Sequence, residues 1–483
     1  MCYLQVINDL LEEYLMNESE KLVKEIKKGP DWLNITEDGK KHVDQIKLAK
    51  YLEKKYRFNI NQFSQHGYWY DPKVEQWKGH ADDIIEASIK DEIVPYGIWK
   101  VNLITSIAKL ITLDSKRIVD SDPFDEPAVH KAVFGKHTYN LETDRLEPNS
   151  PDNYLLQNRS YELDINGKAD TWNEWLRQSL VPCTTAKYDD NNDKEHSRLT
   201  DEYDLTAVET VKAFIGYALA GSHKDFQHYM ILYGNGGEGK STFLGKITEV
   251  IGKFNVSDVS LDDLSDQEAA KFTTSKLYHK AANIFADISP KFMKQTNIIK
   301  VLTGGDTITA QFKHKDPFEF RNEAKMIFSA NELPAFKDFT DGFKRRPIIV
   351  TFHPIKNFNK KFNDEGFKRE IPAFAYECLL AYRKALEANK FPQTEFMRQQ
   401  KQDWIDANDN IGNWIKDCCS IADGDRGKGT FLYESYKNYC IATGSNVMSK
   451  KNFNNQLIGR GYEYGSVKIN GKTVKGFKGI KVK

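Results

Sequence analysis

The run Gly234-Asn235-Gly236-Gly237-Glu238-Gly239-Lys240-Ser241 has the spacing G-x-x-x-x-G-K-[ST]. A short apolar run ends at Tyr233, and an amphipathic stretch covers about 241–251, so the loop joins an expected strand to an expected helix. Glycines let the backbone curl until successive N–H groups face phosphate oxygens. The helix N-terminus adds its partial positive charge. Lys240 is spaced to reach the β- and γ-phosphates of a nucleotide, and the Ser241 hydroxyl to ligate Mg²⁺, with Thr242 in the same turn. The loop implies ATP and Mg²⁺ as cofactors. A chance glycine-rich turn would lack the flanking strand and helix. Asp287 closes the apolar run 283–286. There an acid would hold Mg²⁺ or polarise an attacking water. Many strands end in Asp, so its weight comes from standing in register after the loop.

Three further segments follow in order. They are Leu302-Thr303-Gly304-Gly305-Asp306 with Lys313-His314-Lys315 behind it, then Ser329-Ala330-Asn331-Glu332-Leu333-Pro334, then Arg345-Arg346. This order resembles superfamily 3 DNA helicases, with the look of the poxvirus-type and phage or plasmid primase-helicase family. The resemblance covers about 205–360, and more loosely 139–148 and the tail. It implies a ring-forming AAA+ motor, a homo-hexamer that moves 3′ to 5′ on single-stranded DNA during replication of a phage, plasmid or mobile element. Asn331 matches the sensor asparagine that holds the lytic water. Lys313, His314 and Lys315 match the hairpin that enters the ring pore and grips one strand; on their own they read as a solvated turn, and their place between Asp306 and Asn331 favours the hairpin. Arg345 or Arg346 matches the arginine finger, which reaches the ATP of a neighbouring subunit and neutralises transition-state charge. There is one departure. Many members carry two acids in a row where Asp287 stands, and here Ile288 follows. The separate catalytic acid is left unassigned, with Glu332 as a substitute candidate.

The elements that must position these groups alternate between strand and helix. The continuous apolar runs 229–233, 282–286, 325–329 and 346–352 read as buried parallel strands. Residues 205–220 read as a helix closed by Gly221, and 370–389 as a helix packing back. The fold class is therefore multidomain α/β: a central AAA+ P-loop sheet domain, a helical N-terminal region and a C-terminal winged-helix domain. The expected divisions are 1–200, mainly helical with aromatic hairpins; 201–365, the motor; 366–405, a helical connector; and 406–483, a basic winged helix.

In the first region, 12–28 is rich in Glu and Lys at helical spacing and Gly29-Pro30 ends it. Tyr68-Trp69-Tyr70 and Trp77 flank a turn at Asp71-Pro72. Residues 81–115 have helical periodicity, and 134–148 reads as a second hairpin. The aromatics suit either stacking on bases or sheet packing. The region is expected to form a collar that helps assembly, or to touch DNA. Metal-binding carboxylates fit for a primase are not evident, because Asp82-Asp83 has no second acid at strand spacing. A separate chain would supply priming. Residues 184–198 are polar and read as a linker.

In the tail, 410–421, 430–443 and 450–458 read as helices and 462–480 as a two-strand wing turning at Asn470-Gly471. Lys450, Lys451, Lys472 and Lys475 belong to a basic cluster that faces a single acid, Glu463. A basic helix-turn-helix enters a major groove, so this segment is a candidate for duplex or origin DNA; the bland alternative is a solvated basic tail.

Composition bounds the rest. With 483 residues, about three domains fit. A net charge of zero does not select nucleic acid, although a local patch can be basic. Cys2, Cys183, Cys378, Cys418, Cys419 and Cys440 form no C-x-x-C pair, which argues against zinc and disulfides and for a reducing cytoplasm; the resemblance to phage and plasmid proteins implies that of a bacterial host. No apolar run approaches the roughly 20 residues needed to cross a bilayer, and 1–15 lacks the pattern of a signal peptide. The competing reading is an origin-binding initiator whose ATP cycle drives assembly and local melting rather than processive unwinding.

Overall fold

The computed structural model describes residues 29–61, 66–115, 122–181, 204–265, 270–288, 296–336, 338–355, 363–445 and 447–483. The expected helix in 12–28, the linker 184–198, Cys2 and Cys183 lie outside the described residues. The chain divides into two compact units. One comprises Met1–Ala128, Val133–Tyr139 and Leu146–Asn158; the other Val129–Ala132, Asn140–Arg145 and Arg159–Lys483.

In the first unit, β1 (Leu33–Ile35) and β2 (Lys41–Val43) pair antiparallel. The Asp44 carboxylate then caps the helix Gln45–Tyr56 by accepting from the Lys47 N–H. β3 (Asn59–Ile60), β4 (Gly67–Asp71) and β5 (Gln76–Gly79) make an antiparallel sheet around the turn read at Asp71-Pro72. The expected helix 81–115 is two helices, Ala81–Ile93 and Val101–Ser115, because Pro95 and the left-handed Gly97 (φ 73°) interrupt it. Tyr68, Trp69 and Trp77 are buried, and Trp77 meets the Phe124 ring edge-on at 5.0 Å. These rings are core, which is the packing alternative rather than base stacking. β6 (Lys131–Phe134), β7 (His137–Asn140), β8 (Arg145–Pro148) and β9 (Asn158–Arg159) fall where the division of the chain alternates. Helices and short strands are interleaved through this part of the chain.

The second unit is built on a five-stranded parallel sheet with the order β11-β12-β15-β10-β16. The strands are β10 (Tyr229–Tyr233), β11 (Val256–Ser257), β12 (Ala282–Phe285), β15 (Lys325–Ala330) and β16 (Pro347–Thr351). β15 is buried along its whole length and β10 nearly so, as their unbroken apolar runs require for strands covered on both faces. The hairpin β13 (Thr307–Gln311) and β14 (Pro317–Arg321) stands as a separate antiparallel pair. The helix Thr206–Ala220 is buried almost throughout, so it has no solvent face to keep polar. It packs on Asp364–Glu387, and Gly216 permits the approach: a Cβ there would lie 2.1 Å from the Cys378 carbonyl oxygen. The helix Asp170–Leu180 joins the same layer, with Trp172 stacked on Phe374 at 4.1 Å.

The tail has helices Asn410–Cys418, Gly429–Ala442 and Lys450–Gly459 and a three-stranded antiparallel sheet in the order β17-β19-β18. β17 spans Cys419–Lys428, β18 Tyr464–Ile469 and β19 Lys472–Val482. Trp414, Tyr436, Phe453, Leu457, Phe477 and Ile480 form its core. The turn at Asn470-Gly471 has both residues at positive φ, 48° and 78°, as a two-residue hairpin turn needs. The expected helix 410–421 stops at Cys418, because β17 takes the chain over to pair with β19.

One half-buried ion pair gives this unit a pH signature. Asp225 accepts from His130 Nε2 at 3.1 Å, from the Tyr382 hydroxyl at 2.5 Å and from the Ser222 N–H at 2.9 Å. The hydrogen bond to Asp225 raises the His130 pKa above its ordinary 6.5, against the opposing effect of burial. Burial pushes the Asp225 carboxyl up, but His130 and Tyr382 together hold it below 3.8. The His130 contribution is complete below pH 6.5 and is lost as pH rises through the raised value. The Asp225 contribution is complete above pH 3.8 and is lost as pH falls through the lowered value. Asp225→Asn is therefore expected to cost about 2 kcal/mol between roughly pH 4 and 6.5, and less at higher pH. Denaturant unfolding of both proteins across pH 5–9 checks it, and a difference that stays flat across that range rejects the pairing.

Candidate functional site

The loop that follows β10 is shaped by glycines. Gly236, Gly237 and Gly239 have φ of 109°, 85° and 85°. Side-chain-bearing residues there would be strained by about 1–2 kcal/mol each. Gly239 is also the N-cap of the helix Lys240–Ile251, so the turn delivers that helix's free N–H groups to the loop. Gly234 is tied to β15 through its N–H and the Ala330 carbonyl, at 3.2 Å.

Parallel pairing of β10 with β15, and of β15 with β12, brings three strand ends together. A cavity of about 420 Å³ opens there, lined by Gly236, Gly237, Gly239, Lys240, Ser241, Thr242, Asp287, Ser329 and Asn331. Lys240, Ser241, Asp287 and Asn331, picked from separate stretches of sequence, thus share one cavity. Asn235 is exposed beside it, and Glu238 is buried beneath the loop at 4% exposure. Asn331 Nδ2 donates to Asp287 Oδ1 at 3.4 Å.

Asp287 is held in a left-handed conformation, φ 60°, which an Asp tolerates better than most residues. Ser329 holds it there. Its hydroxyl accepts from the Asp287 N–H at 2.9 Å, and its carbonyl accepts from the Ile288 N–H at 2.8 Å. The residue after Asp287 turns inward, and Ile288 joins the hydrophobic core. Glu332 is exposed and is not part of the cavity lining, so among the described residues Asp287 is the acid that lines it. Ser329 is a site residue the sequence reading passed over. Its signal was its place two residues before Asn331, which continues the line of β15 by one residue, where alternate residues share a face.

The two arginines differ sharply. Arg346 is buried; its Nε donates to Thr303 Oγ1 at 2.9 Å, its Nη2 to Gln227 Oε1 at 3.2 Å and its Nη1 to the Gly342 carbonyl. Arg345 is exposed and touches Gln227. Both precede β16, whose Pro347 lies opposite Tyr229, at the far end of β10 from the loop. A strand of this length separates them from Lys240 by roughly 16 Å along the sheet.

A strap runs from Asn331 to Arg345 and is pinned at several points. Trp404 Nε1 donates to the Pro334 carbonyl at 3.0 Å, and Asn408 Oδ1 accepts from the Phe336 N–H at 3.1 Å. The Arg460 guanidinium lies 5.8 Å from the Phe339 ring centre and binds Asp409 at 2.5 Å. Asp338 accepts from Lys300 and Thr296, each at 2.8 Å. Burial pushes the Asp338 carboxyl up, but Lys300 and Thr340 outweigh that and bring it to about 2.

The basic residues are where solvent can reach them. Lys313, His314 and Lys315 form the exposed tip between β13 and β14, with His314 left-handed at φ 65°. Phe312 stacks on Phe318 at 5.0 Å and braces the tip. Lys450 and Lys451 open the helix Lys450–Gly459, and Lys472 and Lys475 lie on β19; all four are exposed. In the same tail Lys478 pairs with Glu463 and Lys481 with Asp425.

Comparison with known proteins adds the following. Residues 232–346 match a family described as "Family of unknown function (DUF5906)". Over 201 residues, 39% of this chain, the sequence is 26% identical to the "Putative helicase L207/L206" of Acanthamoeba polyphaga mimivirus. The match takes in 21% of that viral protein, so the chain spans a small part of its relative. Solved structures of the NrS-1 C-terminal region are also similar. One has a TM-score of 0.48 at 13% identity, covering 89% of this chain and 97% of that one. Another has a TM-score of 0.45 at 13% identity, covering 90% and 99%. No described helix is long and apolar enough to cross a membrane.

Ser329→Ala should leave the Asp287 N–H without its side-chain acceptor and lower stability by about 1 kcal/mol. The midpoint of denaturant unfolding reads this. An unchanged midpoint would show that the hydroxyl does not hold Asp287.

Proposed function

We propose that this chain is an ATP-driven DNA helicase of the superfamily 3 type. Its sheet domain is an AAA+ motor, its tail a winged-helix DNA-binding module, and its working form a homo-hexameric ring on single-stranded DNA. The observation that carries the reading is the sharing of one cavity by Lys240, Ser241, Asp287 and Asn331 at three adjacent strand ends. The mimivirus relative, named as a helicase, supports it over the matched stretch.

The residues present suit ATP and Mg²⁺. The left-handed glycines curl the chain around the cavity, and Lys240 with the hydroxyl-bearing Ser241 and Thr242 joins its lining. Ser241 and Asp287 are an oxygen pair suited to Mg²⁺, which takes few protein ligands and completes its shell with phosphate and water. When bound, the ion would neutralise charge on the phosphates. Lys240 would hold the β- and γ-phosphates, and Asn331 would orient a water beside Asp287. Arg345 suits the role of arginine finger better than Arg346. Arg346 is committed to contacts inside its own chain, while Arg345 is exposed and too far from its own Lys240 to serve it. It would serve the site of a neighbouring copy.

The exposed lysines at the β13–β14 tip would grip one strand's phosphates without reading sequence. Lys450, Lys451, Lys472 and Lys475 would hold duplex or origin DNA. Replication of a phage, plasmid or mobile element, in a bacterial cytoplasm and with priming by a separate chain, is the setting this reading implies.

Forked-DNA unwinding tests the proposal. Wild type should separate strands with ATP, and Lys240→Ala should lose unwinding by a hundredfold or more while binding DNA. Lys313→Ala with Lys315→Ala should also lose unwinding while keeping duplex binding by the tail. ATP hydrolysis without strand separation on any fork would favour the origin-binding initiator instead. A second test mixes inactive partners. Arg345→Ala and Lys240→Ala should each lack ATPase activity alone and regain part of it together, because one copy supplies the loop and the other the arginine. No recovery on mixing rejects Arg345 as a residue acting in trans.

A further inference from the structure

The phosphate loop contains its own anion. Glu238 stands just before Gly239 and is only 4% exposed. Its Oε2 accepts from Lys240 Nζ at 3.0 Å and from the Gly236 N–H at 2.8 Å. Lys240 Nζ also donates to the Gly234 carbonyl at 3.0 Å. The ammonium is thus turned toward the base of the loop, and it too is buried, at 7% exposure. A loop N–H and the loop lysine are the donors that a phosphate oxygen would claim. The pair fits tightly: a Cβ added at Gly234 would lie 3.0 Å from Glu238 Cδ and 3.1 Å from Lys240 Nζ. Burial pushes the Glu238 carboxyl up, but Lys240 and the Gly236 N–H outweigh it and hold the pKa below 4.5. The group is a carboxylate at neutral pH.

We propose that Glu238 competes with nucleotide phosphate for Lys240 and the Gly236 N–H, so that it sets how tightly nucleotide binds and how fast product leaves. This inference rests on the nucleotide reading above. The physical reason is that two anions cannot share one buried ammonium without strong repulsion. Phosphate must displace the carboxylate to bind, and the carboxylate returns as product departs. Glu238 is then a positioning residue: it acts on the reaction through Lys240. The cost to affinity is matched by a gain in turnover wherever release is slow.

The test is a fluorescence titration of the whole chain with mant-ATP and mant-ADP in the presence of Mg²⁺. Glu238→Gln keeps the shape and removes the charge. It should bind mant-ATP roughly tenfold tighter and release mant-ADP more slowly by a similar factor. In steady state it should show a lower KM together with a lower kcat. A residue that merely supported the loop would instead raise KM when replaced. Glu238→Asp, one methylene shorter, should reach Lys240 poorly and also bind more tightly than wild type, which covers the case in which the glutamine variant folds badly. Equal or weaker binding by folded Glu238→Gln and Glu238→Asp overturns the proposal. Tight binding by wild type that is lost in Lys240→Ala, with no change in either Glu238 variant, keeps the nucleotide reading and removes only this one. No binding by wild type or by any variant removes both.

Discussion

Strand β10 is hydrogen-bonded to β15 on one side and to β16 on the other, and both pairings are parallel. Parallel pairing puts like ends together. At one end it sets the glycine loop beside Asn331 and, one strand further, beside Asp287. At the other it sets Arg345 and Arg346 next to the start of β10. A slip in this register would move the acid and the lysine apart by several ångströms. The candidate site is therefore a property of the sheet before it is a property of any one loop.

The sheet is kept in that register by polar groups inside it as well as by apolar packing. Asn283 of β12 is fully buried and ties to the segment just after β11, with its Oδ1 accepting from the Val259 N–H at 2.8 Å and its Nδ2 donating to the Val259 carbonyl at 2.9 Å. Ser329 of β15 does the equivalent for Asp287. Buried polar groups that are fully paired fix one arrangement, because every shifted alternative leaves a donor or acceptor without a partner. This explains how Asp287 can be held at an unusual backbone angle next to solvent.

Much of the sheet domain and its glycine loop was legible in sequence because the signals are local. The loop needs glycine for backbone angles, a lysine for charge and a strand and helix at its sides, and all of these are contiguous. The apolar runs of β10, β12, β15 and β16 are long and uninterrupted enough to read. Other features depend on contacts between distant residues and could not be read. Arg345 and Arg346 are neighbours in sequence, and only the fold buries one against Thr303 and exposes the other. Glu238 occupies a position the loop pattern leaves free, so its pairing with Lys240 had no motif to announce it. β17 has Asp423, Gly424 and Asp425 in its middle, residues that signal a turn, and it is a strand because β19 supplies the partner. The register shift between Ile421 and Arg426 absorbs those residues as an irregularity.

The strap between Asn331 and Arg345 connects the two ends of the sheet; it is fastened to the helix Glu395–Asn408 through Trp404 and Asn408, and to the tail that follows through Arg460. Those fastenings make the tail and the cavity thermodynamically linked wherever the strap has two positions. A ligand on the tail that favours one position then changes affinity at the cavity. Reciprocity requires that occupancy of the cavity change affinity at the tail by the same factor. Arg460 would be one conduit of that linkage: cutting it should leave each site's intrinsic chemistry intact while making the two deaf to each other.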